Sequence, residues 1–262
     1  MKIIITGALG HIGSYILRDF ALKYPNNEII LIDNLATQRY TSLFNLPDGI
    51  KYSFIEANII DFDFEKVINQ SDIVINLAAI SDAAGSFDKE IEIENNNYGV
   101  TKKIAEACLK KGANLITMSS TSVYGTQNDL VDEDCSLDEL RPQSPYAVTK
   151  LKEEKLIIDL CKSKGLKAVV FRFGTIFGIS QGIRFHTAVN KFCWQAVMKQ
   201  PITVWTTAYD QKRPYLDLID ASNAFSFVID NELFNGEIYN VLTLNATVRQ
   251  IVETINIYVT KI

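Results

Sequence analysis

The chain has 262 residues, of which 47% are hydrophobic and 22% charged, with a formal net charge of −5 and four cysteines. That length and balance suffice for a sizeable core in one large domain or one and a half, and they exclude a fibrous or disordered chain. The charges are scattered with no basic block for nucleic acid, and no apolar run is long enough to span a membrane, so a soluble protein with a small-molecule partner is expected.

A short apolar run over residues 2–6 reads as a buried parallel strand, and it leads through Gly7, Gly10 and Gly13 into a helical pattern that starts near His11. Strand, glycine turn and helix together are the context in which backbone approaches a dinucleotide pyrophosphate at the positive end of a helix. A glycine trio in GxxGxxG spacing is also what a plain tight turn needs. The next strand, 28–32, ends in Asp33 and Asn34, where a carboxylate can hold the adenosine ribose hydroxyls and repel a ribose 2′-phosphate. NAD is therefore expected in preference to NADP. With a strand read from Lys2, no signal peptide is expected, and Cys108, Cys135, Cys161 and Cys193 have no paired metal spacing. Reduced cytoplasmic thiols and no metal site follow.

Further strands are read over 51–56, 72–77, 113–118 and 167–172, separated by amphipathic segments such as 97–111. The alternation predicts a doubly wound parallel α/β sheet of Rossmann type, with ligand at the carboxyl ends of its strands. Asn58 and Ile59, Leu77, Ala78 and Ala79, Ser119 to Ser122, and Phe173 to Thr175 lie at those ends. Between the last two strands, Ser144 and Pro145 suit the start of a helix that places Tyr146 and Lys150 one turn apart on one face. A cation beside a phenol favours the phenolate, so the tyrosine pKa is expected to fall from near ~10 towards neutrality, where it can take a proton. Alone, such a pair is common on surface helices. Past Thr175 the alternation weakens, which divides the chain into a dinucleotide-binding domain, 1–175, and a smaller C-terminal substrate-binding lobe, 176–262.

These motifs in this order, with Asn76, Asn96 three before Gly99, Tyr124 and Gly125 after the serine run, Arg172 to Gly178 and Arg213 to Asp220, resemble the extended short-chain dehydrogenase/reductases. Within them the chain is similar to the NAD-dependent nucleotide-sugar epimerases and dehydratases of the UDP-glucose 4-epimerase type. Asn58 stands where that family often has Asp, and Asn76 where it often has His. The resemblance implies an isomerase of carbohydrate metabolism that acts on an NDP-hexose or NDP-uronate, as a cytoplasmic homodimer. In it Tyr146 is the base, Lys150 lowers its pKa and holds the nicotinamide ribose, and Ser120 hydrogen-bonds the reacting oxygen. NAD would be held by Gly7, Gly10, His11, Ile12, Gly13, Asp33, Asn34, Asn58, Ile59, Leu77, Ala78, Ala79, Asn96, Ser119, Tyr146 and Lys150. Ser122, Thr175, Arg184, Asn190 and Arg213 would face the nucleotide sugar.

Two residues before Tyr124 the family's 4,6-dehydratases carry an acid and its decarboxylases Glu. Here it is Ser122, a poor proton shuttle for elimination but an adequate donor for an oxidise, rotate and reduce cycle. That favours epimerisation at C4 through a 4-keto intermediate over dehydration or decarboxylation; a non-catalytic NAD-binding protein on the same fold is the remaining alternative. Trp205 is read as a core residue or a base-stacking one, and His186 is left unassigned. The resemblance also implies several dozen residues beyond the helix read over 247–258, so the lobe is expected to be shortened or truncated, with cofactor binding kept and substrate affinity left open.

Overall fold

Ile3, Ile4 and Ile5 have no exposed surface in β1 (Lys2–Thr6), an interior strand of the main sheet. The structure is a computed structural model that describes residues 1–81, 84–127 and 131–259. From β1 the chain passes through α1 (His11–Lys23), β2 (Glu28–Asp33), β3 (Lys51–Glu56) and β4 (Ile73–Asn76). A short α2 (Glu90–Ile93) continues through a π-helical turn, Glu94–Tyr98, into α3 (Gly99–Lys111), and β5 (Asn114–Ser120), α4 (Pro145–Lys164) and β6 (Ala168–Phe173) follow. Then come β7 (Thr175–Phe177), α5 (Ala188–Val197), β8 (Arg213–Asp217), α6 (Leu218–Asp230), β9 (Ile238–Val241), β10 (Leu244–Ala246) and α7 (Val248–Val259).

The main sheet has seven strands in the order β3-β2-β1-β4-β5-β6-β9, all pairs parallel. Parallel strands covered on both faces are largely apolar, which is why the centres of β1 and β2 read as hydrophobic runs. On one face Ile16, Leu17 and Phe20 of α1 meet Ala221, Phe225 and Val228 of α6. On the other, Val100, Ile104 and Cys108 of α3 meet Ile157 and Leu160 of α4. The order reverses between β1 and β4, whose last residues, Thr6 and Asn76, are in register. Such a reversal opens a crevice at the strand ends.

Some boundaries differ from expectation for local reasons. β4 starts at Ile73 because the Asp72 carboxylate turns back to accept the N–H of Lys2 and of Asn69, both at 2.8 Å. β5 runs on to Ser120, which puts Ser119 and Ser120 in the ladder opposite Arg172 and Phe173. Residues after 175 do not all leave the main sheet. α6 and β9 return to it, whereas β7, β8 and β10 form a separate three-stranded sheet and α5 packs with α7 around Phe192, Val248 and Ile255. No helix among the described residues is long and apolar enough to cross a membrane.

Candidate active site

The glycine turn lies at the β1/β4 reversal. Gly7 has φ +63°, and a Cβ there would come within 2.7 Å of Leu77 O and 2.8 Å of Ala78 N, so the chain leaving β4 passes directly against it. At Gly13 a Cβ would lie 2.5 Å from Ala8 O, so only glycine lets α1 sit this close to the turn. Gly10 caps α1 without a side-chain hydrogen bond, and a Cβ on it would meet only Gly7 O, at 3.2 Å. The helix start is therefore open to an anion, with first-turn amides that have no intrahelical acceptor.

Asp33, at the end of β2, uses one oxygen to accept Leu9 N at 3.0 Å and the other to accept Leu35 N at 2.9 Å. Each oxygen keeps a second lone pair for a ribose hydroxyl. Asn34 accepts Ala36 N at 3.1 Å, and Asn58 accepts Ile60 N at 3.3 Å beside a cavity of about 410 Å³ that Asp61 and Lys66 also line. Ile59 is 5% exposed and belongs to the core, so it can offer a ligand only backbone. Asn96 donates to Asn97, and it is the buried Asn97 that clamps the loop after β4, bonding Ile80 N at 2.8 Å and Ile80 O at 2.9 Å. An open helix start, a close-packed glycine turn and an acid with spare acceptors fit a dinucleotide cofactor.

The residues expected to react, Ser120, Tyr146 and Lys150, lie on β5 and α4. The Ser144 hydroxyl accepts Ala147 N at 3.2 Å and Pro145 occupies the first turn, which fixes where α4 begins. Tyr146 is half-buried and Lys150 is 4% exposed, with Nζ 5.8 Å from the centre of the Tyr146 ring. Lys150 Nζ donates to Met118 O at 2.9 Å and to Glu153 Oε2 at 3.0 Å. Ser120 ends β5, and its Oγ accepts Ser122 N at 3.2 Å, so its own proton remains available to a substrate oxygen. Ser119 Oγ and Ser122 Oγ are buried with no partner among the described residues. The turn Thr121–Tyr124 that carries Ser122 packs against α4 and is anchored by Tyr124, whose hydroxyl donates to Asn240 Oδ1 at 2.9 Å and accepts from Arg172 at 2.8 Å.

The expected lowering of the Tyr146 pKa is not what the surroundings produce. Burial pushes it up first; Lys150 pulls it down, Glu153 pushes it up again and Arg184 pulls it down, with a net rise. For Lys150, burial acts against the charge, but the Glu153 carboxylate and Tyr146 outweigh it and the ammonium is stabilised. Glu153 is the residue missing from the sequence reading, and its position three after Lys150 was the available signal.

The proposed sugar side is built by the segment between β7 and α5. It straps across the glycine turn: Ser180 Oγ donates to His11 O at 2.9 Å, Gly182 N to Ser14 Oγ at 2.9 Å, and His11 Nε2 to Gly178 O at 2.9 Å. Burial keeps the His11 pKa below its ordinary value, against the pull of the Gly178 carbonyl, so the ring is a neutral part of this packing. Thr175 opens β7 opposite Tyr215. Arg184 reaches Ser81 Oγ and donates to His186 Nε2 at 2.8 Å, bridging the strap to the loop after β4. Asn190 is 7% exposed, and its amide joins Gly178 N, at 3.1 Å, to Arg184 O, at 3.0 Å, so it braces the strap. Arg213 is exposed at the start of β8 and bonds Gln211 at 2.8 Å. Trp205 is 81% exposed, which removes the core reading.

The model of the NAD dependent epimerase/dehydratase family matches residues 3–241. An uncharacterised UDP-glucose epimerase, YtcB, of Bacillus subtilis (strain 168) is 29% identical over 248 residues, covering 92% of this chain and 76% of its own. A dTDP-D-glucose 4,6-dehydratase of Dictyostelium discoideum is 30% identical over 262 residues, and there the chain spans only 58% of its relative. In three dimensions the chain resembles a tyrosine-to-phenylalanine variant of the UDP-glucuronic acid 4-epimerase of Bacillus cereus, solved with a fluorinated UDP-sugar and NAD. The TM-score is 0.88 at 28% identity, over 98% of this chain and 82% of that one.

Proposed function

Because this chain belongs to the NAD dependent epimerase/dehydratase family, we propose that it interconverts a nucleotide-activated sugar and its C4 epimer through a transient 4-keto intermediate, with no net redox change. The observation that carries this reading is the side-by-side presentation of Tyr146 and Lys150 at the start of α4, next to a β5 end that offers the hydroxyl of Ser120 and no acid.

NAD, when bound, supplies the hydride acceptor and donor for the sugar carbon. Gly7, Gly10 and Gly13 let its pyrophosphate approach the start of α1, and Asp33 takes the adenosine ribose. Tyr146 accepts the proton of the sugar hydroxyl and returns it after the ring has turned. Ser120 donates to the reacting oxygen, which holds it in place as it becomes a ketone. Lys150 keeps positive charge beside the phenolate that takes this proton. Ser122 keeps its hydroxyl buried and carries no acid with which to protonate a leaving hydroxyl, and this is what disfavours elimination. Arg184 and Arg213 are suited to the diphosphate by their fixed fork of donors.

Incubation of the protein with NAD and a panel of NDP-hexoses and NDP-uronates, read by mass and by sugar chromatography, tests the reading. A C4 epimer keeps the mass of its substrate. Loss of water or carbon dioxide would instead make the chain a dehydratase or decarboxylase, the activity named for its Dictyostelium relative in the first case. NAD binding without turnover of any sugar would leave a non-catalytic protein. A homodimer and a reducing, cytoplasmic setting for the four free thiols complete the reading; light scattering of the purified protein tests the first.

A further inference from the structure

Glu153 is 3% exposed on α4, beneath the reacting pair. Its Oε2 accepts from Lys150 Nζ at 3.0 Å and from Thr101 Oγ1 at 2.7 Å, while Oε1 has no partner among the described residues. Thr101 Oγ1 in turn accepts from Asn76 Nδ2 at 3.2 Å, and Asn76 Oδ1 accepts from Thr6 Oγ1 at 2.9 Å. A polar line thus runs from the last residue of β1, just before the glycine turn, to the ammonium of Lys150. An ionised carboxylate in so buried a place is costly unless it is paired, and among the described residues its cation is Lys150.

We propose that Glu153 is a positioning residue: it pins the Lys150 ammonium between its own carboxylate and Met118 O, so that Tyr146 feels a Lys150–Glu153 pair and not an uncompensated cation. Among the described residues, the charged groups that face Tyr146 are Lys150 and Glu153 from α4 and Arg184 from the strap. Lys150 also feels Glu154, but both oxygens of Glu154 are held by Arg172 at 2.9 and 2.8 Å. β5 contributes the Met118 carbonyl and α3 the Thr101 hydroxyl, neither of them charged. The pair favours phenol over phenolate more than Lys150 alone would, so the base is unmasked at higher pH.

The kinetic part of this inference rests on the epimerase reading, whereas the ionisation part does not. Tyr146 can be titrated without substrate by 13C NMR of ring-labelled tyrosine, its resonance assigned by its loss in Tyr146→Phe. Glu153→Gln and Glu153→Met both remove the charge at similar volume. In each, the Tyr146 midpoint should fall by about one pH unit, and the acid limb of kcat/KM should move the same way. Glu153→Asp keeps the charge and should keep the parental midpoint, which a purely structural role would not require. A midpoint that stays put or rises in the charge-free variants overturns the inference. A midpoint that falls in a protein that turns over no nucleotide sugar supports it and sinks the epimerase reading instead.

Discussion

Asp33 Oδ2 accepts the backbone N–H of Leu9 at 3.0 Å, which ties the end of β2 to the glycine turn that β1 feeds. The acid proposed to recognise the cofactor ribose is thereby held by the loop proposed to receive its pyrophosphate. Asp33→Asn keeps an acceptor but removes the charge. NAD affinity should fall roughly tenfold, the scale of one charge-assisted hydrogen bond, and discrimination against NADP should narrow because the repulsion of a 2′-phosphate is gone. Calorimetric titration of both cofactors reads both effects. Tighter binding of NADP by the unmodified protein would refute the assignment.

Gly13 makes a steric prediction. The nearest atoms to a Cβ there are Ala8 O at 2.5 Å and two further Ala8 backbone atoms, so no side chain can move aside. Gly13→Ala must lift α1 from the turn, at a cost of about 1–3 kcal/mol, and it should weaken NAD binding more than Asp33→Asn does. Thermal unfolding with and without NAD checks it: an unchanged Tm together with parental NAD affinity would show that the turn tolerates the displacement.

The Arg172–Glu154 pair concerns stability. Arg172 is 3% exposed, grips Glu154 with two parallel hydrogen bonds and stacks 4.9 Å from the Tyr124 ring centre. Removing one partner of such a pair strands the other, typically for about 3–5 kcal/mol. Arg172→Leu should therefore lower stability by that order, and it should loosen the turn that presents Ser120 and Ser122. Glu154→Leu in the same background should recover part of the loss, since the stranded charge is then gone. Urea unfolding of both variants and of the double mutant measures the coupling.

The parts of this molecule that were legible in the sequence are those whose cause is local. β1, the glycine turn and Asp33 sit within one βαβ unit, and Tyr146 and Lys150 share one helix face, so spacing alone places them. Glu153 and Glu154, further along that helix, look like surface residues until their partners are known. One partner, Lys150, is itself buried, and the other, Arg172, comes from the next strand. The strap was opaque for a different reason. Its anchors are mostly backbone carbonyls and amides, as in Ser180 to His11 O, and these leave no mark on residue type. The return of β9 to the main sheet depends on pairing with β6 across the whole lobe, a relation that no local pattern encodes.

Tyr146 and Lys150 should be separable by experiment, because they act on one proton in different ways. Tyr146→Phe keeps the ring 5.8 Å from Lys150 Nζ but deletes the only hydroxyl proposed to accept the sugar proton. Turnover should fall by about a hundredfold or more with fold and NAD affinity near parental. Lys150→Met removes the ammonium, one of the two groups that pull the Tyr146 pKa down against burial and Glu153. The phenol pKa then rises further, so phenolate forms only at higher pH, and the acid limb of kcat/KM should move upward. The variant also leaves Glu153, among the described residues, with only the Thr101 hydroxyl as donor and strands its charge, so stability should drop as well, which Tyr146→Phe should not cause. Initial rates against pH, NAD titrations and thermal unfolding on both variants separate the two signatures. If Tyr146→Phe retains activity within a fewfold of the parent, the tyrosine is not the base, and the proton must leave the sugar by another group at the end of β5.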